Sequence, residues 1–142
     1  LSGNGHSLAT VTLWLSSRSI TGDFNILKVG HVNVNCLSNK VDFILDLLLK
    51  QSINVLAVSE TWLLPAVASS FIDVANFNSV RGDTDGAARK HGSMLYLHKD
   101  IVFLVFEVPI PNVVAVHLID YDLWIVAVYR PPSYTILEKP LC

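Results

Sequence analysis

Ile53-Asn54-Val55-Leu56-Ala57-Val58-Ser59-Glu60-Thr61-Trp62-Leu63 holds the run whose reading decides the fold. Residues 53–58 have the length and apolar character of a short strand buried in a parallel sheet. The run leads directly into a carboxylate, Glu60, at what is then the carboxyl end of that strand. In open α/β sheets this end is where ligands and metals gather.

Upstream, Ile26, Leu27, Val29, Val32 and Val34 alternate with small or polar positions and read as a first strand. Between the two strands, Val41, Ile44, Leu45 and Leu48 fall at i, i+3, i+4 and i+7, the apolar face of a helix. Asp42, Asp46 and Lys50 make the opposite stripe, with Asp46 and Lys50 spaced to pair. Ser38 is the expected cap of a helix starting near Asn39, and Asp42 in its first turn suits the helix dipole. Strand, helix and strand form a βαβ unit with parallel strands. Asn33 and Asn35 then share a sheet edge with Glu60. An amide beside a carboxylate suits a hard, oxygen-preferring cation such as Mg²⁺. The plainer alternative is that the asparagines turn the chain and Glu60 is solvated.

Downstream of Pro65 the pattern loosens. Residues 66–73 read as a short helix and 81–90 as a polar loop containing glycine. Four β-rich runs follow, at 93–98, 102–108, 113–119 and 123–129. Their links are short: Lys99-Asp100, Pro109-Ile110-Pro111-Asn112 and Asp120-Tyr121-Asp122. Links of that length favour antiparallel neighbours. The fold class is therefore α/β, a βαβ opening followed by an antiparallel meander. Residues 1–25, rich in Ser, Thr, Gly and Asn, read as a leader to a domain spanning 26–142.

At 142 residues and 51% apolar, the chain has enough length for one domain with a core. The net charge of −2 shows no basic stripe of the kind nucleic-acid binders carry, only a small group at Arg81, Arg89 and Lys90. Cys36 and Cys142 form no CxxC pair, which excludes a zinc knuckle or redox motif and favours a reducing compartment over a disulfide framework. The most apolar span, 101–119, is interrupted by Glu107, Pro109, Pro111, Asn112 and His117, so no membrane helix is expected. Nuclear or cytoplasmic residence fits this composition.

Three stretches together carry a resemblance: His-Val-Asn-Val-Asn-Cys-Leu-Ser-Asn-Lys (31–40), Ser-Glu-Thr-Trp-Leu (59–63) and Tyr-Arg-Pro-Pro-Ser (129–133). In order and spacing they resemble the endonuclease domain of non-LTR (LINE-type) retrotransposons, within the endonuclease/exonuclease/phosphatase superfamily. The match runs over residues 26–135 and includes His-Gly-Ser-Met-Leu-Tyr-Leu (91–97), where the family has a Gly-rich turn and strand. The resemblance implies the amino-terminal half of a four-layer α/β sandwich. It implies a Mg²⁺- or Mn²⁺-dependent hydrolase that nicks DNA, with a reverse transcriptase on the same polyprotein. Asn33 matches the Asn that organises the metal and phosphate site, Glu60 the metal-binding Glu, and Tyr129 the Tyr near the scissile phosphate. Asn35 and Arg130 flank these positions as weaker candidates for substrate contact.

The departures from the family pattern are specific. Asn35-Cys36 stands where the family has Arg-Ser, and His91 replaces a glycine. The family's Asp-x-Asn pair, a further Asp and an Asp-His couple should follow Tyr129, and residues 130–142 contain none of them. Gly22-Asp23-Phe24-Asn25 has the Asp-x-Asn form, but it precedes the first strand and lies roughly 25 Å from Glu60 at strand rise. The five histidines show no metal-binding spacing; His31 shares a strand face with Asn33. Trp62 and Trp124 read as packing residues, with an exposed place near the site rim as the alternative for Trp62. Metal-assisted hydrolysis needs a water-activating group as well as a metal ligand. The expectation is therefore a chain inactive alone, with a non-enzymatic retroelement relic or a phosphatase-type member of the superfamily as alternatives. Half of such a fold is also expected to expose an apolar sheet face and a strand edge, a route to self-association.

Overall fold

A computed structural model describes residues 8–15, 26–84 and 91–130. Its strands are β1 (Leu8–Leu15), β2 (Val29–Asn33), β3 (Val55–Ser59), β4 (Phe77–Gly82), β5 (Ser93–His98), β6 (Phe103–Phe106), β7 (Val113–Leu118) and β8 (Leu123–Arg130). The helix α1 (Val41–Lys50) and a 3₁₀ turn at Ser69–Phe71 complete the described elements. The motif Gly22–Asn25, the segment 85–90 and residues 131–142 lie outside the described residues.

The βαβ unit forms as expected. β2 and β3 are parallel, in register from Val29 opposite Val55 to Asn33 opposite Ser59. Every residue of β3 is buried. Leu56 and Val58 face one way, into a cluster with Ile44 and Leu48 of α1 and with Met94 and Tyr96 of β5. Val55 and Ala57 face the other way, against Val114, Val116, Ile125 and Ala127 of the second sheet. The sheets run β2-β3-β5-β4 and β1-β8-β7-β6 and pack face to face, with α1 covering the first. The fold is a mixed α/β sandwich.

Several expectations are corrected. α1 begins at Val41 and not near Asn39, and Lys40 rather than Ser38 occupies the cap position, with no side-chain cap bond. The cause is upstream: the main chain of Cys36 and Leu37 is already committed to Glu60 O and Thr61 O, at 2.9 and 3.0 Å. Only after that turn is the backbone free to coil. The short helix read at 66–73 contracts to the 3₁₀ turn.

β4 occupies part of a region read as loose chain and loop. It pairs antiparallel with β5 from Phe77 opposite His98 to Gly82 opposite Ser93. That pairing explains a second correction. Both edges of β5 are taken, by β3 and β4, so the short Lys99-Asp100 link cannot lead into an adjacent strand. The chain crosses to the second sheet instead, and the meander is confined to β6, β7 and β8. Within the stretch read as a leader, β1 pairs with β8 along its whole length, Leu8 opposite Arg130 and Leu15 opposite Leu123.

The apolar inner faces of the two sheets cover each other. Exposed apolar side chains gather instead on the edge strand β6 and beside it, at Val102, Leu104, Val105, Phe106 and Ile110. No described helix covers the outer face of the second sheet, where Trp124 stacks on His117 at 4.7 Å and meets Phe106 edge-on at 5.8 Å. No described helix is long and apolar enough to cross a membrane.

Tyr96 shows how the helix-side core handles a polar group. Its buried hydroxyl donates to Ile72 O at 2.6 Å. Burial, with the Asp73 carboxylate adding to it, raises the phenol pKa well above its ordinary value of 10.0. A raised folded-state pKa means the neutral phenol stabilises the fold fully below about pH 10, and that contribution is lost as pH rises beyond. Tyr96→Phe is expected to cost about 1–3 kcal/mol in urea unfolding at neutral pH, because Ile72 O is left unpaired. The same substitution is expected to weaken the loss of stability above pH 10.

Candidate functional site

Parallel pairing of β2 and β3 does not stop at the strand ends. It continues through Val34 N to Ser59 O at 3.1 Å, then through the Cys36 and Leu37 bonds to Glu60 and Thr61. The two loops are thus zipped together, and the zipping brings Asn33, Asn35 and Glu60 to one place. Asn33 Nδ2 donates to Glu60 Oε2, while Asn33 Oδ1 accepts from Asn35 N at 3.1 Å. Both ends of the Asn33 amide are engaged, so its orientation is fixed by its partners.

Lys40 secures this turn from behind. Its Nζ donates to Val34 O at 2.6 Å and Asn35 O at 3.0 Å, with Cys36 O at 3.5 Å. Asn35 (φ 49°) and Cys36 (φ 91°) are both left-handed, so the ammonium holds a conformation the chain would otherwise avoid. The sequence reading quoted Lys40 without giving it a role. The signal was its place a few residues beyond the end of β2, within reach of the turn's carbonyls.

Glu60 (φ 56°) and Trp62 (φ 58°) are also left-handed, a conformation costly for non-glycine residues. Three main-chain bonds hold them: Glu60 N to Gly92 O at 2.9 Å, Thr61 N to Gly92 O at 3.5 Å and Trp62 N to His91 O at 2.8 Å. Trp62 is a partly buried residue whose Nε1 has no hydrogen-bond partner among the described residues. Gly92 has φ 109°, and a Cβ there would run into Thr61 Oγ1. The glycine that remains beside His91 is therefore the one this loop requires.

Tyr129 comes from the other sheet. It lies near the end of β8, buried on the inner face, with its N–H donating to Asn112 O at 3.0 Å. The His91 ring lies 5.7 Å from the Tyr129 ring, tilted by 38°. Arg130 is exposed at the next strand position and so lies on the opposite face of β8 from Tyr129. The structure does not bring it to the Asn33–Glu60 pair. Arg81, the first of the basic group, is committed elsewhere: its guanidinium pairs with Asp83 at 2.7 Å and donates to Leu64 O and Val67 O.

His31 joins the site from the strand face it shares with Asn33. Its Nε2 lies 3.1 Å from Ser59 Oγ, in a part-buried pair. Cys36 is disulfide-bonded, its partner lying outside the described residues. The expectation against a disulfide framework is thereby corrected at Cys36.

Among the described residues no three His, Cys, Asp or Glu side chains converge as a metal cluster. The fit of a divalent cation therefore rests on the donor set at Asn33 and Glu60. With Oε2 taken by the Asn33 amide and Asn33 Oδ1 by Asn35 N, the donor this pair still offers a cation is the second Glu60 carboxylate oxygen. One carboxylate suits Mg²⁺, which keeps several of its waters and takes only one or two carboxylates. Two open grooves among the described residues, about 660 and 460 Å³, lie between the edges of β4 and β6, and neither is lined by Asn33, Glu60 or Tyr129.

No family model matches the sequence, and no curated protein matches it. A solved structure does resemble it. An AP endonuclease from Archaeoglobus fulgidus superposes with a TM-score of 0.49 at 14% identity, over 67% of this chain and 38% of that one. This chain thus spans under half the length of that protein. A likeness so slight carries no statement about activity, ligand or partner.

Two outcomes test the local physics. Partial burial lowers the His31 pKa from 6.5. The unfolded chain therefore takes up this proton more readily, and the stability contributed above pH 6.5 is lost as pH falls below it. His31→Gln should flatten that acid-side decline in denaturant midpoints measured between pH 7 and 5. Gly92→Ala should destabilise the fold by at least ~1–3 kcal/mol through the forced left-handed conformation alone, read by thermal unfolding.

Proposed function

We propose that this chain carries part of the active site of a Mg²⁺-dependent endonuclease acting on phosphodiesters in DNA, of the kind that serves non-LTR retrotransposons. The observation that carries the reading is the Asn33–Glu60 pair at the carboxyl end of two parallel strands. The residues of that pair belong to the two stretches, 31–40 and 59–63, on which the family resemblance rests.

Each side chain then has a task. Glu60 holds the cation through its free carboxylate oxygen, and Asn33 orients that carboxylate by donating to Oε2. Asn35 shapes the turn through its main chain, which leaves its exposed side chain for a weaker contact with substrate. Tyr129 supplies an aromatic wall and a hydroxyl from the second sheet. When bound, Mg²⁺ would supply charge neutralisation at the phosphoryl oxygens.

A second reading is favoured by a separate observation. Among the described residues no group of three His, Cys, Asp or Glu side chains gathers that could hold a metal, and the His31 imidazole is paired with Ser59. General-base help contributes roughly 10²–10⁴-fold to rate. On this reading the 142-residue chain retains a cation site but no nuclease activity, as a retroelement relic would.

Both parts are open to measurement on the purified 142-residue chain. Mn²⁺ binding followed by electron paramagnetic resonance should weaken about tenfold or more in Glu60→Gln, as expected when a charged ligand is lost. Supercoiled plasmid should stay intact in Mg²⁺. Unchanged Mn²⁺ affinity in Glu60→Gln would remove the cation assignment. Mg²⁺-dependent nicking that disappears in Glu60→Ala would replace the relic reading with an active enzyme.

A further inference from the structure

The two halves of the candidate site stand on different sheets, and apolar contact alone cannot fix one against the other. Between the sheets the clustered side chains of β3, β5, β7 and β8 set a separation, but hydrophobic contact has no direction. Among the described residues a directional connection stands at Asn112.

Asn112 precedes β7 in the turn that enters it, buried to 6% exposure and left-handed at φ 65°. It makes three hydrogen bonds to three different segments. Its Oδ1 accepts from Gly92 N at 2.8 Å. Its main-chain oxygen accepts from Tyr129 N at 3.0 Å, and its N–H points to Asp83 O at 3.4 Å. Gly92 O in turn accepts from Glu60 N and Thr61 N. A hydrogen-bonded path thus runs from Glu60 through Gly92 and Asn112 to Tyr129.

The sheets are also unusually close here. Face-to-face sheets ordinarily sit about 10 Å apart. At Gly82, a Cβ would lie 2.5 Å from Val113 O, so β4 and the start of β7 meet backbone to backbone. Only a short side chain that tolerates a left-handed conformation and ends in an acceptor suits the position next to that contact. Asparagine meets all three conditions.

We infer that Asn112 is a positioning residue that holds the Glu60 loop against Tyr129 across the two sheets. It acts through Gly92 and touches neither cation nor substrate. The inference rests on the proposed role of Glu60 in holding a divalent cation.

The test uses the full 142-residue chain and three substitutions, with Mn²⁺ alone as the probe. Asn112→Gly keeps the left-handed backbone and deletes the acceptor; Asn112→Asp keeps both; Glu60→Gln probes the underlying site. Exchange of the Gly92 amide proton, followed by NMR, should be about tenfold faster in Asn112→Gly, since a buried donor loses its partner. Mn²⁺ affinity should fall about tenfold in the same variant. Asn112→Asp should show Gly92 protection and Mn²⁺ affinity both at the parent level. Should Asn112→Gly not fold, Asn112→Asp decides: loss of Gly92 protection or of Mn²⁺ affinity in that folded variant overturns the inference. Parent-like protection and affinity in a folded Asn112→Gly overturn it too, leaving the cation site standing if Glu60→Gln still weakens binding. Unchanged affinity in Glu60→Gln removes the cation site and this inference with it.

Discussion

The parallel pairing of β2 with β3, carried past the strand ends into the loops, is the constraint on which the remaining structure depends. It forces the chain after Asn33 to follow the chain after Ser59 for several residues. From that follow the left-handed turn at Asn35 and Cys36, the late start of α1, and the meeting of Asn33 with Glu60. β3 can lead this arrangement because both of its faces are buried, one under α1 and one under the second sheet. A side chain at its end therefore stands on a support fixed from both sides, as a precise site requires.

The charged contacts divide into two kinds. The Asp46–Lys50 pair lies on the exposed face of α1, with both side chains more than half exposed, and contributes little to stability. Lys40, Arg81 and Asp83 are different. They spend their charge on main-chain carbonyls and on each other in partly buried positions, fixing loops where no regular hydrogen-bond ladder is available. The scarcity of charge in the composition thus conceals its concentration at turns.

Much of the fold was legible because periodicity reports burial. The apolar run of β3, the i, i+3, i+4 stripe of α1 and the runs of β5, β7 and β8 all mark faces that meet a core. β4 was not legible because Phe77-Asn-Ser-Val-Arg-Gly82 is an edge strand with one neighbour, and its polar residues resemble a loop. The crossing after β5 was missed because link length speaks of neighbours and says nothing of whether an edge is already occupied. In the site, Asn33 and Glu60 could be placed together from the βαβ rule. Asn112 could not, since its three partners lie far from it in sequence and are brought to it only by the packing of one sheet on the other.

The pairing of β1 with β8 bears on how the molecule assembles. These strands lie near opposite ends of the described chain, and β8 cannot serve as a template until β7 has aligned it. Closing so long a loop has an entropic cost that is repaid only after the intervening strands are in place. β1 should therefore dock late during folding and detach early during unfolding. On a ribosome, β1 would be made well before β8 and would stay without this partner until β8 follows.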